Sequence, residues 1–318
     1  MASLNLHGWL PIRIWKATGQ WQVDWCWFGD SPLRQPFFRE AVEQALQLPF
    51  NQVFRRQTPL STLADWQAVS PGLAPSAFIL HASRCGSTLI SQMLARLDDH
   101  IVISEPPPLD SLLRSDLTDV ERRAAIAGLL SAYGQRRRGM EQRLVIKLDA
   151  WNIGEWPSLR ACFPDTPWLF VYRDPLEIAV SHLRRPGMHM VPGMLGECVL
   201  DDGLPFVGRE DFIARRLGRL LEAGRLHCAA SGGLAVNYSE LPEAMAGRLA
   251  SFFRLNATQS EQALAGSAPH AKQPSQMFVA DGDSKRREAS TLLRAQVERC
   301  ARAPYEALER LRLHDLAD

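Results

Sequence analysis

A short segment between residues 81 and 88 combines residue types that bind anions. It reads HASRCGST and lies between an apolar run, AFILHA (77–82), and a helical pattern that begins at Ser87. A loop that leads from a strand into a helix presents successive backbone N–H groups to an anion, and the helix dipole adds to the attraction. The competing interpretation is a well-capped helix start without a ligand. The residues predicted to form the anion loop are Arg84, Cys85, Gly86, Ser87, Thr88 and Leu89.

A second anion-binding pattern follows the apolar run WLFVY (168–172). Arg173 ends this run, and Asp174 and Pro175 are typical first residues of a helix. Ser181 lies seven residues beyond Asp174, almost two helical turns, and so on about the same face as the helix start. Arg173 and Ser181 can therefore meet around one phosphate. The competing interpretation is an Arg173 salt bridge beside a solvated Ser181.

The elements that must position these residues alternate along the chain from about Ser76. Because helical segments separate the apolar runs, right-handed crossovers should join the strands into a parallel sheet. The predicted fold class is α/β, with helices on both faces of the sheet. The stretch 184–208, rich in Gly, Pro and Met, is predicted to be a lid loop. We predict strands at 77–82, 101–104, 143–148, 168–173 and 234–238, and helices at 87–97, 109–133, from Pro175 and at 242–254.

Residues 1–70 differ from the rest of the chain in their many aromatic side chains. Two runs, WLPIRIWK and QWQVDWCWF, are separated by Ala17-Thr18-Gly19 and predict a strand–turn–strand unit. A short helix is predicted at about 37–47. Alternating aromatic residues in strands indicate a packed core rather than a ligand-stacking surface. We therefore divide the chain into a small α+β extension (1–70) and an α/β domain (71–318).

Together, the two anion-binding motifs resemble those of sulfotransferases that use 3′-phosphoadenosine 5′-phosphosulfate (PAPS). SRCGSTLISQML resembles the 5′-phosphosulfate loop of that family, which commonly reads P-[KR]-S-G-T-T. VYRDPLEIAVSHL resembles the 3′-phosphate motif, with its Arg and Ser at the same separation. The similarity covers about residues 77–255. It implies a P-loop-like α/β sheet and transfer of a sulfonate from PAPS to an alcohol, phenol or amine.

The resemblance also implies roles for individual residues. The backbone of the anion loop would hold the 5′-phosphosulfate, with Arg84 in place of the commoner Lys. Arg173 and Ser181 would hold the 3′-phosphate, and Tyr238 in VNYSEL matches an aromatic residue that lies near the adenine. The family's C-terminal R-K-G loop has no literal copy, but FVADGDSKRRE (278–288) occupies a similar place. Lys285 is the predicted phosphate ligand there, and a solvated charge run is the competing interpretation.

Two charged residues at predicted strand ends match the catalytic groups of carbohydrate-type sulfotransferases. Glu105 would be the general base, and burial is expected to raise its pKa towards the working pH. Lys147, one of only four Lys in the chain, would steady the transferring group together with Arg84. We expect the strands of Glu105 and Lys147 to flank the strand that leads into the anion loop, with the sulfonate between the two side chains. An ordinary helix-start charge and a snorkelling Lys are the competing interpretations. The rival bases are His81, His100 and His182.

Two other functions compete with sulfonate transfer. In a small-molecule kinase using ATP and Mg²⁺, HASRCGST would be a degenerate P-loop and Asp174 would hold magnesium. Ser87 stands where that loop needs its Lys, and Asp174 before Pro175 is typical of a helix cap. The third interpretation is a non-catalytic nucleotide-binding protein. For a sulfotransferase, a small molecule or a carbohydrate is the expected acceptor, and no motif identifies it.

Composition excludes several classes of protein. Lys plus Arg number 36 and Asp plus Glu 35, so no global basic excess attracts nucleic acid or an anionic membrane. The six Cys show no C-x-x-C spacing, which indicates free thiols in a reducing compartment and no zinc site. No apolar run reaches the roughly 20 residues that span a bilayer, and no signal peptide is recognisable. We expect a cytoplasmic protein; a homo-oligomer is left open.

Overall fold

The N-terminal part of the chain forms a three-stranded antiparallel sheet. The computed structural model describes residues 5–265, 269–270, 273–277 and 282–316. The predicted strand–turn–strand unit is confirmed, and a third strand joins it through β2. The elements are β1 (Trp9–Ala17), β2 (Gln20–Trp27), α1 (Phe38–Leu46), α2 (Pro49–Val53), β3 (Arg56–Pro59) and α3 (Thr62–Val69).

A five-stranded parallel sheet forms the centre of the rest of the chain. All five predicted strands are present, so the predicted α/β fold class is confirmed. Their side chains are almost wholly buried, because helices cover the sheet. The strands are β4 (Pro75–His81), β5 (His100–Ser104), β6 (Arg143–Lys147), β7 (Trp168–Tyr172) and β8 (Leu234–Asn237).

The order of the strands corrects one expectation. The order is β5-β6-β4-β7-β8, so the strand of Lys147 adjoins the strand that leads into the anion loop. The strand before Glu105 lies at the edge of the sheet and does not flank β4. Glu105 and Lys147 therefore come from neighbouring strands on the same side of the anion loop.

The helices that flank the sheet differ from prediction in two places. The predicted single helix 109–133 is interrupted, because Thr118 begins a new helix through reciprocal hydrogen bonds with Glu121. In the predicted helix 242–254, Gly247 adopts a non-helical conformation and separates a 3₁₀ turn from a short helix. The helices in this region are α4 (Ser87–Ala95), α5 (Pro107–Leu113), α6 (Asp119–Tyr133), α7 (Trp156–Cys162), α8 (Pro175–Arg184), α9 (Gly208–Ser231) and α10 (Arg248–Phe253).

The C-terminal part completes the fold with helices and a small hairpin. Its elements are α11 (Ala257–Ala265), β9 (Pro269–His270), β10 (Gln273–Met277), α12 (Gly282–Glu288) and α13 (Thr291–Asp315). Of the predicted C-terminal phosphate segment, residues 278–281 lie outside the described residues, and Lys285 lies on α12. Within the described ranges, no helix has the length and apolar character needed to cross a membrane.

Candidate functional site

The carboxyl ends of the five parallel strands surround a cavity of about 780 Å³. Residues that closely follow each strand line it, which is where open α/β sheets bind ligands. The structure therefore brings the two sequence motifs to one cavity. The predicted site residues that line it are Arg84, Cys85, Gly86, Ser87, Thr88, Leu89, Glu105, Arg173, Ser181, Tyr238 and Lys285.

The anion loop has an unusual backbone. Ser83 and Arg84 have φ values of 67° and 50°, and left-handed conformations at such residues cost of the order of 1 kcal/mol or more each. Gly86 has a φ of 88°, and a Cβ atom there would lie 2.7 Å from the ring of Tyr238. Only glycine fits this position. The Cys85 thiol is buried and donates to a backbone carbonyl, so only the backbone of Cys85 is available to a ligand.

Arg173 lines the part of the cavity that we call the anion end, which consists of the anion loop, Arg173, Ser181 and Lys285. Its guanidinium forms a buried ion pair with Glu177, and Arg286 reaches the same carboxylate at 2.9 Å. The salt bridge foreseen as the competing interpretation is therefore present. The same guanidinium still lines the cavity, with its carbon 4.1 Å from the centre of the Tyr238 ring. Ser181, two turns into α8, also lines the cavity, as the seven-residue spacing predicts.

Lys147 and Glu105 form a direct ion pair, in which Glu105 lines the cavity and Lys147 does not. The Lys147 side chain is fully buried, and its ammonium contacts the Glu105 carboxylate. Nε2 of His81 lies 3.3 Å from the same carboxylate. Glu105 has a φ of 51°, and its N–H donates to the Lys147 carbonyl at 2.7 Å. The expected arrangement, with these side chains on opposite sides of a transferring group, is wrong for this structure.

The pKa of Glu105 also differs from expectation. Burial raises this pKa, but the positive charge of Lys147 and the hydrogen bond with His81 outweigh it and hold the pKa below its ordinary value. The expectation that burial would raise the pKa towards the working pH is therefore wrong. At neutral pH the carboxylate is ionised, which is the protonation state that a general base needs.

The three histidines considered as rival bases all make structural hydrogen bonds. His81 lines the cavity, and its Nδ1 accepts the N–H of Ser83 at 3.0 Å while Nε2 lies 2.9 Å from the Leu148 carbonyl. Nδ1 of His100 lies 2.7 Å from a carboxylate oxygen of Asp99. Nδ1 of His182 accepts a backbone N–H at 3.1 Å. His100 and His182 do not line the cavity.

The cavity contains a histidine that the sequence analysis missed. His189 lines it, is 4% exposed, and within the described part of the chain neither ring nitrogen has a hydrogen-bond partner. Its ring lies 5.5 Å from that of Trp151 and 5.3 Å from that of His182. Gly187 permits this packing, because a Cβ atom there would lie 3.0 Å from the His189 ring. Burial, reinforced by nearby His81, Arg216 and Arg84, lowers the pKa of His189 to about 3.

Asp149 is a second missed residue. It follows β6 by two positions and lines the cavity beside Glu105. Burial, with the negative charges of Glu105 and Asp110, raises the pKa of Asp149 well above its ordinary value. A carboxylate just past a strand end is the same signal that identified Glu105, and it could have been applied here.

The buried His189 should make the protein sensitive to mild acid. Its pKa rises from about 3 when folded towards about 6.5 when unfolded, so stability falls as the pH decreases below 6.5. Between pH 7 and pH 5 this residue should remove about 2 kcal/mol from the free energy of unfolding. Between pH 7 and pH 5, the His189→Leu variant should lose about 2 kcal/mol less stability than the wild type. The measurement is urea denaturation of both proteins at both pH values. Equal losses in the two proteins would contradict the burial of a neutral imidazole.

Comparison with known proteins finds that the chain is similar to solved structures of sulfotransferase domains. No protein-family model matches the chain, and no curated protein matches it. The sulfotransferase domain from the curacin biosynthetic pathway is 14% identical, with a TM-score of 0.44, over 76% of this chain and 98% of that domain. The sulfotransferase domain of the Synechococcus PCC 7002 olefin synthase is 18% identical, with a TM-score of 0.41, over 76% and 95%.

Proposed function

We propose that this protein is a sulfotransferase that moves a sulfonate from PAPS to a hydroxyl or amine of an acceptor. One observation supports this most directly. The anion loop and the Arg173–Ser181 motif, which are far apart in the sequence, line the same cavity at the ends of parallel strands. A single ligand with two separated anionic groups is what such an arrangement can bind.

The residues at the anion end fit PAPS. Arg84, Arg173 and Lys285 supply positive charge, and the glycine at position 86 lets a ligand approach the loop backbone closely. Tyr238 supplies an aromatic face for a base. When bound, PAPS supplies a sulfonate whose bond to the 5′-phosphate breaks as an acceptor oxygen or nitrogen bonds to sulfur.

The Lys147–Glu105 pair provides a base whose strength depends on what occupies the cavity. An anionic group that enters beside Lys147 competes with Glu105 for the ammonium. As this ion pair weakens, burial dominates and the pKa of Glu105 rises. The carboxylate then becomes a stronger base for the acceptor proton, while Lys147 stabilises negative charge on the oxygens of the transferring group.

The kinase alternative has less support from the same residues. The Asp174 side chain accepts the backbone N–H groups of Leu176 and Glu177 at 2.9 and 3.2 Å, so it caps α8. Magnesium coordination would compete with both hydrogen bonds. Ser87, at the start of α4, supplies no charge where a nucleoside triphosphate needs a Lys. If the protein only bound a nucleotide without catalysis, the Lys147–Glu105 ion pair beside the cavity would have no chemical role.

The product analogue tests the donor assignment. PAP, the desulfated form of PAPS, at a hundred times its dissociation constant should raise the free energy of unfolding by about 2.7 kcal/mol through mass action. The measurement is a thermal-shift series with PAP, PAPS, ATP and GTP, each with and without Mg²⁺. A magnesium-dependent shift with ATP and none with PAP would favour the kinase, and no shift with any nucleotide would favour the non-catalytic protein.

Arg173→Ala tests the assignment of the 3′-phosphate. Loss of a charged hydrogen-bond partner should weaken PAP binding by about 1.5–3 kcal/mol, measured by calorimetry. Arg286 still reaches Glu177, so the variant retains a cation for that carboxylate. Adenosine 5′-phosphosulfate lacks the 3′-phosphate and should bind wild type and variant about equally. Similar losses for both ligands would place Arg173 elsewhere on the nucleotide.

A further inference from the structure

The N-terminal unit, residues 5–70, is attached firmly to the α/β part of the chain. The Tyr133 hydroxyl donates to the Pro11 carbonyl at 3.0 Å, and Tyr133 is fully buried. Arg137 donates to the Ser31 carbonyl at 2.8 Å. These contacts fix the position of the loop that leads into α1.

That loop and the start of α1 bring the N-terminal unit into the cavity. Phe37 and Glu40 both line it. The Lys147 ammonium lies 5.3 Å from the centre of the Phe37 ring, within the range of a cation–π contact. The N-terminal unit thus covers the Lys147–Glu105 pair and shapes the cavity next to it.

Three lining residues from the α/β part of the chain complete this region. Asp149 and Trp151 follow β6, and His189 follows α8. The Trp151 indole N–H donates to Asp110 at 2.7 Å, which fixes the orientation of the ring. We call these residues, with Phe37 and Glu40, the acceptor end: Phe37, Glu40, Asp149, Trp151 and His189.

The acceptor end carries carboxyl groups, whereas the anion end carries cations. Among the described residues, Glu40 and Asp149 form no salt bridge. Burial and the charges of Glu105 and Asp110 raise the pKa of Asp149, and an ammonium group beside it would oppose that shift and favour the carboxylate. Arg39 also lines the cavity, but its Nε donates a hydrogen bond to Oε1 of Glu43 at 3.1 Å. Two carboxyl groups beside two aromatic rings form a favourable environment for an ammonium group.

His189 adds an independent sign of a ligand. A buried imidazole whose two nitrogens make no hydrogen bond within the described residues is costly, and ligand binding can recover that cost. Its low pKa keeps the ring neutral. A neutral imidazole has one N–H that can donate to the oxygen of a hydroxyl group, which leaves the hydroxyl proton available to Glu105.

We propose that the N-terminal unit forms one wall of the acceptor site, and that the acceptor is a compact hydroxylated molecule with a protonated amine. The inference rests on the proposed sulfonate transfer, which defines what an acceptor is. The ammonium group binds near Glu40 and Asp149, against the rings of Phe37 and Trp151. The hydroxyl group hydrogen-bonds to His189.

A charge series of phenols tests the proposal. Tyramine, 4-ethylphenol and 3-(4-hydroxyphenyl)propionate share a phenol and differ mainly in the charge at the far end. Their binding is measured by calorimetry with the full chain, both with saturating PAP and without it. Tyramine should bind roughly tenfold more tightly than 4-ethylphenol, and the anionic phenol should bind most weakly. Phe37→Leu should weaken the binding of all three phenols.

Matched variants separate the acceptor end from the rest of the surface. Glu40→Gln and Asp149→Asn should each reduce the preference for tyramine several-fold and leave PAP binding unchanged. Asp65→Asn, at an exposed position of α3 outside the cavity, should change neither the preference for tyramine nor PAP binding. Equal or reversed binding across the series, no detectable tyramine binding, or an unchanged preference in both carboxyl variants would overturn the inference. Failure of the wild type to bind PAP counts against the proposed function instead.

Discussion

Glu105→Gln should lower kcat roughly 10²–10⁴-fold while PAP affinity stays nearly unchanged. The amide keeps the size and much of the hydrogen bonding of the side chain but cannot accept the acceptor proton. The measurement is steady-state turnover of PAPS with an acceptor found by screening phenols, amines and sugars, together with PAP binding by calorimetry. Because Glu105 lines the cavity beside Lys147, the loss should appear in kcat rather than in nucleotide affinity.

The histidines provide the control for this experiment. If Glu105→Gln retains near-normal turnover and a substitution of His189 or His81 abolishes it, the base assignment is wrong. The donor assignment would survive, because it depends on Arg173 and on the anion loop. The pH dependence of the wild type gives a second check: kcat/KM reports the free enzyme, in which the pKa of Glu105 is held low, whereas kcat reports the loaded enzyme, in which that pKa is proposed to rise.

Lys147→Met should strongly destabilise the fold. Removing one partner of a buried ion pair typically costs about 3–5 kcal/mol, because the remaining charge stays buried without compensation. Here the Lys147 side chain is fully buried, and Glu105 would lose its ammonium partner. Turnover should also fall, and PAPS binding should weaken, because the proposed contact of the ammonium with the transferring group would be lost.

A double variant and a pH series make this prediction specific. Glu105→Gln combined with Lys147→Met should recover most of the lost stability in urea denaturation, since no uncompensated charge remains. In Lys147→Met alone, the pKa of Glu105 rises, so the carboxyl group can take up a proton as the pH falls. The stability cost should therefore be smaller at pH 5 than at pH 7. If the stability losses of the two single variants simply add in the double variant, the two side chains are not energetically coupled.

Elements whose signals are local can be predicted from the sequence. The five strands of the parallel sheet are short buried apolar runs, and each was found because burial on both faces makes a strand continuously hydrophobic. The anion loop is also recognisable from one short segment. Gly86 and the hydroxyl residues after it occur within one strand–loop–helix turn, where local backbone geometry creates the binding groups.

Hydrophobic periodicity alone gives the wrong helices in two places. The capping interaction at Thr118 interrupted a helix that periodicity had predicted as continuous. The long helix α9 was not predicted, although it covers residues 208–231 directly after the lid loop. At Thr118 the position of the helix end depended on side-chain hydrogen bonds that hydrophobic periodicity does not register.

The way the chemical groups combine depends on the tertiary fold. Strand order made Lys147 and Glu105 neighbours, and their contact lowered a pKa that burial alone would have raised. Folding also placed Phe37 and His189, distant in sequence, beside that pair. Sequence spacing fixes geometry only within one element, whereas the pairing of strands and the packing of loops depend on contacts between distant residues. The electrostatics of the cavity follows from those contacts, since charge interactions depend on distance and burial.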